Sequence, residues 1–453
     1  ITTQRDYVRE FEKDGTKAFW LPWSNDPGAY SDHGVERDLD ISFVGAINLH
    51  RQRRKNLLDL LCTRFRVSVL APPSSDKMYS ASEISGIFSR SKIVVNEAIS
   101  GEVNFRIFEG MATGAMMLTE KVGNGLDELF VDGKHLVTFT PMDIMEKTAY
   151  YLENRNIRES IAECGKREVS EKHTRAARAV QLAGILEECA GSAVKSSAKD
   201  ESRLGRAFSL MVWSGQTADK ATLFRAAKLL VQACKAEPGD GELFLNLAEF
   251  EAALELTERA NVTYVRALEA GERGFRLCSQ WGIHLLEDGK TAEAATSFRR
   301  LTTLDLPKEI RDGLASALDK PIPSGELYYW LARAAETTEE RFRSGFFHKI
   351  GGNPPLTGVD FLNRGFRLDP TLAKLPEEKA DICYREGVFF QAAMEYLNAL
   401  QQAPMPAELH RKAALALLHS FRISDALALA RITRELDPTS ENESLVKTLE
   451  RIS

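Results

Sequence analysis

The sequence has no C-x-x-C pair and only six cysteines in 453 residues: Cys62, Cys164, Cys189, Cys234, Cys278 and Cys383. They lie far apart with no histidine at metal-ligand spacing, which excludes a disulfide-stapled domain and the common zinc modules. They read as reduced packing thiols, the usage of a cytoplasmic protein. No run reaches the roughly 18 apolar residues of a membrane span, and no signal-peptide pattern opens the chain. Neither sign of charge dominates: 59 Lys and Arg stand against 65 Asp and Glu, a net charge of −6. Such a balance argues against nucleic acid or an anionic membrane surface as partner. Gly and Pro, at 30 and 16, show neither the excess of a fibre nor that of a disordered tail. What is present is a 43% hydrophobic chain, long enough for two to four domains of roughly 100–200 residues each. It begins at Ile1 rather than Met, so the expectation is a trimmed product or a fragment of a longer protein.

Two halves follow different patterns. Up to about Cys189, short Val- and Ile-rich runs alternate with amphipathic segments: ISFVGA (41–46), RVSVLAP (66–72), KIVVNEA (92–98), AMMLTE (115–120) and HLVTF (135–139). Runs without polar alternation suit strands buried on both faces, and starts 20 to 26 residues apart match βα units. In the segment 51–65, Leu57, Leu58, Leu61 and Phe65 share a helical face. The pattern predicts a Rossmann-like α/β domain with a parallel sheet over 1–190, closed by a helical tail over 142–189. GSAVKSSAKDES (191–202) is small and polar, and 191–205 reads as a linker.

Beyond it a repeat replaces the strands. Ala226, Ala260 and Ala294 are 34 residues apart, as are Ala392 and Ala426. Pro238, Pro404 and Pro438 fall twelve residues after Ala226, Ala392 and Ala426, and Gly358 with Pro370 keeps this phase. Tyr264, Phe298 and Tyr396 follow three of the alanines by four residues, and Ala233, Ala267 and Ala399 follow by seven. Small residues let two helices approach, and the ring fills the space beside them. The stretch around 315–345 breaks the phase, with PIPSGE (321–326) and IGGNPPLTG (350–358) as interruptions. This grammar resembles the tetratricopeptide repeat and implies an all-α solenoid of about seven helix-turn-helix units over 206–453, offering a groove to a protein or peptide. The bland alternative is a helical array that binds nothing.

The chemistry concentrates in VNFRIFEGMATGAMMLTE (103–120) and GNGLDELFVDGKHLVTF (123–139). The run 103–112 reads as a helix entering the sheet, ended by Gly114. Asn104, Arg106 and Glu109 then lie near the carboxyl-end crevice where open α/β sheets bind ligands. An Arg with an acid one turn on can serve a diphosphate and a ribose; the alternative is a surface ion pair. The Asn-x-Arg-x-Phe-Glu run at 104–109, the Ala-x-Gly turn at 112–114, the run 125–133, and His173-Thr174 with Arg178 resemble one family. It is the donor-binding, carboxy-terminal half of bacterial two-domain (GT-B) glycosyltransferases of group 1, the branch related to spore-maturation glycosyltransferases. The resemblance implies that Glu109 holds the donor ribose, and that Gly45 and Arg51 meet the diphosphate. Lys92 and Asn96 match the family's Lys-Ile-x-x-Asn, Asn96 placed to face the donor and Lys92 to cap a neighbouring helix. Many relatives have a second glutamate eight residues before Glu109, where this chain has Gly101, with Glu102 one position off register. His135 reads as a core or edge histidine and His173 as packing for the closing helix. Asp38 and Asp40 mimic Asp-x-Asp but precede a strand, and no metal or other cofactor is expected.

Residues 1–27 resemble the last piece of an acceptor domain and the crossover from it. The catalytic base would come from that domain, so no residue is named for the role. The expectation is a glycosyltransferase moving a sugar from a nucleotide-diphosphate donor to a protein or surface glycan, its repeats recruiting acceptor or partner. The alternative is a non-catalytic scaffold in which the repeats bind protein and the α/β half is vestigial.

Overall fold

The computed structural model describes residues 1–13, 17–48, 51–72, 79–98, 101–190, 220–338 and 356–452. The expected linker at 191–205 lies outside them, as does most of the interruption at 350–358. The chain packs as two compact units, Ile1–Ala193 together with Pro406–Ser453, and Val194–Met405. One helical array from 206 to 453 was the expectation; the helices beyond 406 instead pack as part of the first unit.

In the first unit five parallel strands, β1 (Leu39–Val44), β2 (Val67–Leu70), β3 (Ser91–Asn96), β4 (Met116–Glu120) and β5 (Val137–Phe139), form a sheet in the order β2-β1-β3-β4-β5. The runs of β1, β3, β4 and β5 become strands because both faces are covered, whereas the edge strand β2 leaves Val69 exposed. Ile93 and Val95 pack with Leu57 and Leu61 of α2 (Gln52–Cys62), while Val94 packs on the other side with Ile107 and Met111 of α4 (Phe105–Ala112). Between these lies α3 (Ala81–Ser89), whose Ser80 and Glu83 form a reciprocal capping box. The order reverses between β1 and β3, the switch point at which such sheets open a ligand crevice.

The expected helical tail is three helices, α6 (Ile144–Glu153), α7 (Arg155–Lys172) and α8 (Arg175–Ala190), after a short α5 (Leu126–Leu129). Residues 1–27, with α1 (Asp6–Lys13), are fastened to the sheet domain at both ends. The Gln4 side chain exchanges two hydrogen bonds with the Val103 backbone, at 3.0 and 3.2 Å. Arg178 donates to the Pro22 carbonyl at 2.9 Å and to His173 Nδ1 at 2.7 Å. His173 packs against the Phe108 and Phe130 rings, with centroids 5.8 and 4.9 Å away. Burial, reinforced by Arg178, pushes its imidazole down to about 4.

The second unit is helical: α9 (Lys220–Ala236), α10 (Gly241–Ala253), α11 (Thr257–Glu269), α12 (Phe275–Glu287), α13 (Thr291–Arg299), α14 (Lys308–Leu318), α15 (Gly325–Ala335), α16 (Gly358–Leu368), α17 (Lys374–Arg385) and α18 (Phe389–Gln402). The helices pack most closely as α10–α11, α12–α13, α15–α16 and α17–α18, and the irregular stretch accommodates α14 between the second and third pairs. The repeat alanines justify their spacing: Ala260, Ala294 and Ala392 are fully buried, beside the buried rings Tyr264, Phe298 and Tyr396. Gly282 is needed for the same reason, since a Cβ there would lie 2.4 Å from the Phe298 ring. Two carboxylates are buried with partners. Glu249 takes Arg276 Nε at 2.9 Å, and Glu251 takes Arg259 at 2.8 Å and the Thr263 hydroxyl at 2.6 Å. Cys234, Cys278 and Cys383 are buried, their thiols pushed up to about 12, 11 and 12 by burial, whereas Cys62 and Cys189 are exposed.

Three helices, α19 (Ala407–His419), α20 (Ile423–Leu436) and α21 (Ser440–Ile452), complete the first unit. Phe421, in the turn between α19 and α20, enters the core formed by the sheet and α2, with its ring 6.3 Å from that of Phe139.

Candidate functional site

The carboxyl edge of β1, β3 and β4 gathers the polar side chains. Gly45 leaves β1 with its N–H bound to the Leu70 carbonyl at 3.1 Å, and a Cβ there would lie 2.7 Å from Arg106 Nη2. Its lack of a side chain is what admits the arginine. Arg51 and Asn104 are the cap residues of α2 and α4, so two helix amino ends face the crevice, an arrangement favourable to anions.

Arg106 enters between β1 and β3. Its Nε donates to the Val44 carbonyl at 3.2 Å and its Nη1 to Asn96 Oδ1 at 2.7 Å, and the guanidinium lies 4.6 Å from the Phe43 ring centroid. Among the described residues no carboxylate forms an ion pair with it. Burial, with Arg54 adding repulsion, lowers this guanidinium to about 10. Asn96 is fully buried, accepting from Arg106 and Asn104 (3.1 Å) while donating to Thr119 Oγ1 at 2.9 Å. Asn96, expected to face a donor, orients Arg106 and Asn104 through its Oδ1. Asn104 Oδ1 is buried without a partner.

Beside this set is a denser one that the sequence reading missed. Arg54 Nε pairs with Glu97 at 3.0 Å and its Nη1 with the Ala46 carbonyl at 3.0 Å. Arg53 bridges Glu97 at 3.3 Å and Glu120, whose two oxygens it meets in a fork. Of the arginines in RQRR, Arg54 is the one buried, and a signal for it existed. Arg54, Leu57, Leu58 and Leu61 follow the i, i+3, i+4, i+7 spacing of the apolar face. Arg51 stays half-buried at the cap; it opposes the upward push that burial gives the Glu102 carboxyl.

Glu109, one turn beyond Arg106, lies within reach of a hydrogen bond from the Tyr30 hydroxyl. Burial raises the Glu109 carboxyl, opposed by that bond and by Arg106, and burial with Glu109 raises Tyr30 to about 12. At the rim, Trp23 and Phe105 meet edge to face with centroids 6.0 Å apart, both rings exposed.

Gly114 is not brought to this place. It ends α4 at φ +73°, at the amino edge of the sheet where β4 begins, and a Cβ there would meet Arg37 Nη2 and Asp32 Oδ2, each at 2.7 Å. The same edge holds Asp38 and Asp40, paired with Arg90 and Lys92 at 2.5 Å. Lys92 therefore neutralises Asp40 across β1 and β3 rather than capping a helix. His135 accepts the Val131 N–H at 3.3 Å and is a satisfied, buried histidine as expected.

In the second unit, a cavity of about 640 Å³ opens among α9, α10 and α11, with Phe244, Leu247, Glu251, Arg259, Val262 and Arg266 on its walls. Among the described residues no helix is long and apolar enough to cross a membrane.

Comparison with known proteins bears on the first unit. Among curated proteins no sequence matches this chain. Solved structures with local likeness include sucrose-phosphate synthase from Thermosynechococcus elongatus, 13% identical over 42% of this chain and 56% of its own, with a TM-score of 0.33. A second is the C-terminal domain of a glycosyl transferase group 1 family protein, LpcC, from Francisella tularensis, 17% identical over 34% of this chain and 100% of its own, with a TM-score of 0.28. A third is YrrB, described as a TPR protein with an unusual peptide-binding site, 17% identical over 50% of this chain and 99% of its own, with a TM-score of 0.23. The family model described as glycosyl transferase-like matches residues 51–184, the segment that runs from the cap of α2 into α8. The crevice residues from Arg51 onward lie within this match.

Proposed function

We propose that the β1/β3 crevice binds the diphosphate of a nucleotide-sugar, and that the protein transfers that sugar to an acceptor hydroxyl on a protein or surface glycan. One observation supports the reading: among the described residues Arg106, half-buried, hydrogen-bonds to neutral acceptors, next to the buried Asn104 Oδ1, which has no partner among them. A diphosphate supplies the missing charge, and a sugar hydroxyl supplies the missing donor. Negative charge grows on the departing diphosphate in the transition state, and preorganised guanidinium groups and helix amino ends stabilise it there without a divalent ion. Glu109 takes the ribose hydroxyls, sharing its carboxylate with Tyr30, and Gly45 and Arg51 flank the phosphates. The cavity among α9, α10 and α11 suits an extended peptide of the acceptor or a partner. The scaffold alternative draws on a different fact: Glu97, Glu120 and Glu109 are each already engaged, by Arg53, Arg54 and Tyr30.

Calorimetric titration with UDP, GDP, dTDP and their sugars tests the reading. The expected result is one nucleotide binding with Kd between about 1 µM and 1 mM, weakened at least about tenfold in Glu109→Ala, which removes a hydrogen bond to a charged group. Absence of binding at millimolar concentration for every nucleotide overturns the donor site and leaves the scaffold.

A further inference from the structure

We propose that Arg53 and Phe421 are positioning residues for the nucleotide site, Phe421 acting through Arg53; this rests on reading the crevice as a diphosphate site. The argument starts from the repeat. The turn between paired helices uses a left-handed residue, glycine at Gly289 and Gly387, each at φ +74°. Thirty-four residues after Gly387 the same position is Phe421, at φ +60°. Thirty-four before Gly289 it is Glu255, also left-handed but exposed. A bulky ring in this backbone conformation is strained, and such strain persists only where the surroundings hold it. Here they do. Phe421 is 3% exposed, and the Arg53 guanidinium lies 4.7 Å from its ring centroid. Arg53 Nε donates to the His419 carbonyl, and Asn56 Nδ2 to that of Ser420, both at 2.9 Å.

Arg53 is therefore shared. One side of its guanidinium is held by the α19–α20 turn, and the other neutralises Glu97 and Glu120 beside Arg54 and Arg106. With the turn seated, those two carboxylates are compensated where an anion must sit. With the ring removed, water competes for Arg53, the crevice becomes more negative, and a diphosphate binds less tightly. Linkage makes the effect reciprocal: a bound diphosphate holds the turn in its seat.

The test uses Phe421→Gly, which restores the residue the other turns carry, and Phe421→Leu, which keeps the apolar bulk without the ring. UDP, GDP and dTDP are titrated well below the melting midpoints, with folding checked by circular dichroism. Phe421→Gly is expected to weaken the binding nucleotide about 5- to 50-fold and Phe421→Leu by less, within the usual span of coupling between sites. That nucleotide slows amide exchange at 415–425 in the wild type but not in Phe421→Gly. A residue that only stabilises the fold lowers the midpoint and moves neither low-temperature affinity nor this protection. Unchanged affinity in both variants, with the wild type binding, overturns the proposal and leaves the diphosphate site intact. A wild type that binds no nucleotide overturns both.

Discussion

Each unit buries an ionic cluster, and the two are finished differently. In the helical unit Glu249 is fully buried against Arg276, which also reaches Asn246, and Glu251 is closed by Arg259 and Thr263. Every one of those charges has its counter-ion. In the α/β unit Arg53, Arg54, Glu97 and Glu120 balance among themselves, and Arg106 stands beside them near Glu109, its hydrogen bonds among the described residues going to neutral acceptors. Buried pairs in general contribute little net stability but are costly to break. A closed cluster is thus a feature of the fold, whereas a guanidinium at a sheet's switch point that is hydrogen-bonded to neutral acceptors is the feature on which the proposed diphosphate site rests.

The comparison can be broken from either side. The largest effect is expected for Glu249→Gln, which strands Arg276. Unfolding of the helical unit falls by about 3–5 kcal/mol, read by denaturant melts, while nucleotide affinity does not change. Next is the acid limb of the first unit. His173 is held neutral when folded, down to about 4, against 6.5 for the free side chain. The unfolded chain binds the extra proton, so stability is lost as pH falls through 6.5 and continues to drop until about 4. The loss reaches about 3 kcal/mol, and melting against pH in His173→Gln should show that slope flattened. Third, Arg106→Met should weaken the nucleotide about 100-fold by calorimetry, with the melt of the helical unit unmoved; equal affinity in this variant would place the anion elsewhere. The smallest effect is Gly282→Ala, where overpacking against the fully buried Phe298 costs about 1–3 kcal/mol, confined to the helical unit.

How much was legible depended on whether the signal was periodic. All five strands overlap the runs that announced them; in the four inner or closing strands burial on both faces leaves Val and Ile little competition, and the edge strand β2 is legible from its run alone. The repeat alanines were legible because 34-residue spacing recurs. Single residues fared unevenly. Arg106, Asn104 and Gly45, named from the motif, lie together at the sheet edge. Asn96 lies on the expected strand, and its bond to Thr119 on the next strand could not be read from the sequence. Gly114 was misplaced because adjacency in sequence to Glu109 hides that α4 spans from one sheet edge to the other. The division of the helices at 406 was illegible from the phase alone, which Ala426 continues. The one clue was Phe421 in a glycine's place, and its meaning appears only when Phe139 and Arg53 are seen around it.

The distribution of thiols offers a way to watch the two units separately. Cys234, Cys278 and Cys383 are spread along the helical unit, in α9, α12 and α17, buried and protonated. A thiol reagent reaches Cys278 and Cys383 only when that unit opens, so their labelling rate under native conditions reports its local unfolding free energy, while Cys234 is reached from the cavity it lines. Cys62 and Cys189, exposed in the α/β unit, label at once and mark time zero. A ligand that enters the groove among α9, α10 and α11 would slow Cys234, which lines it, ahead of Cys383 at the far end of the chain order. Nucleotide at the sheet edge would slow none of the three directly, so selective slowing of Cys234 marks occupancy of the helical unit without adding a probe.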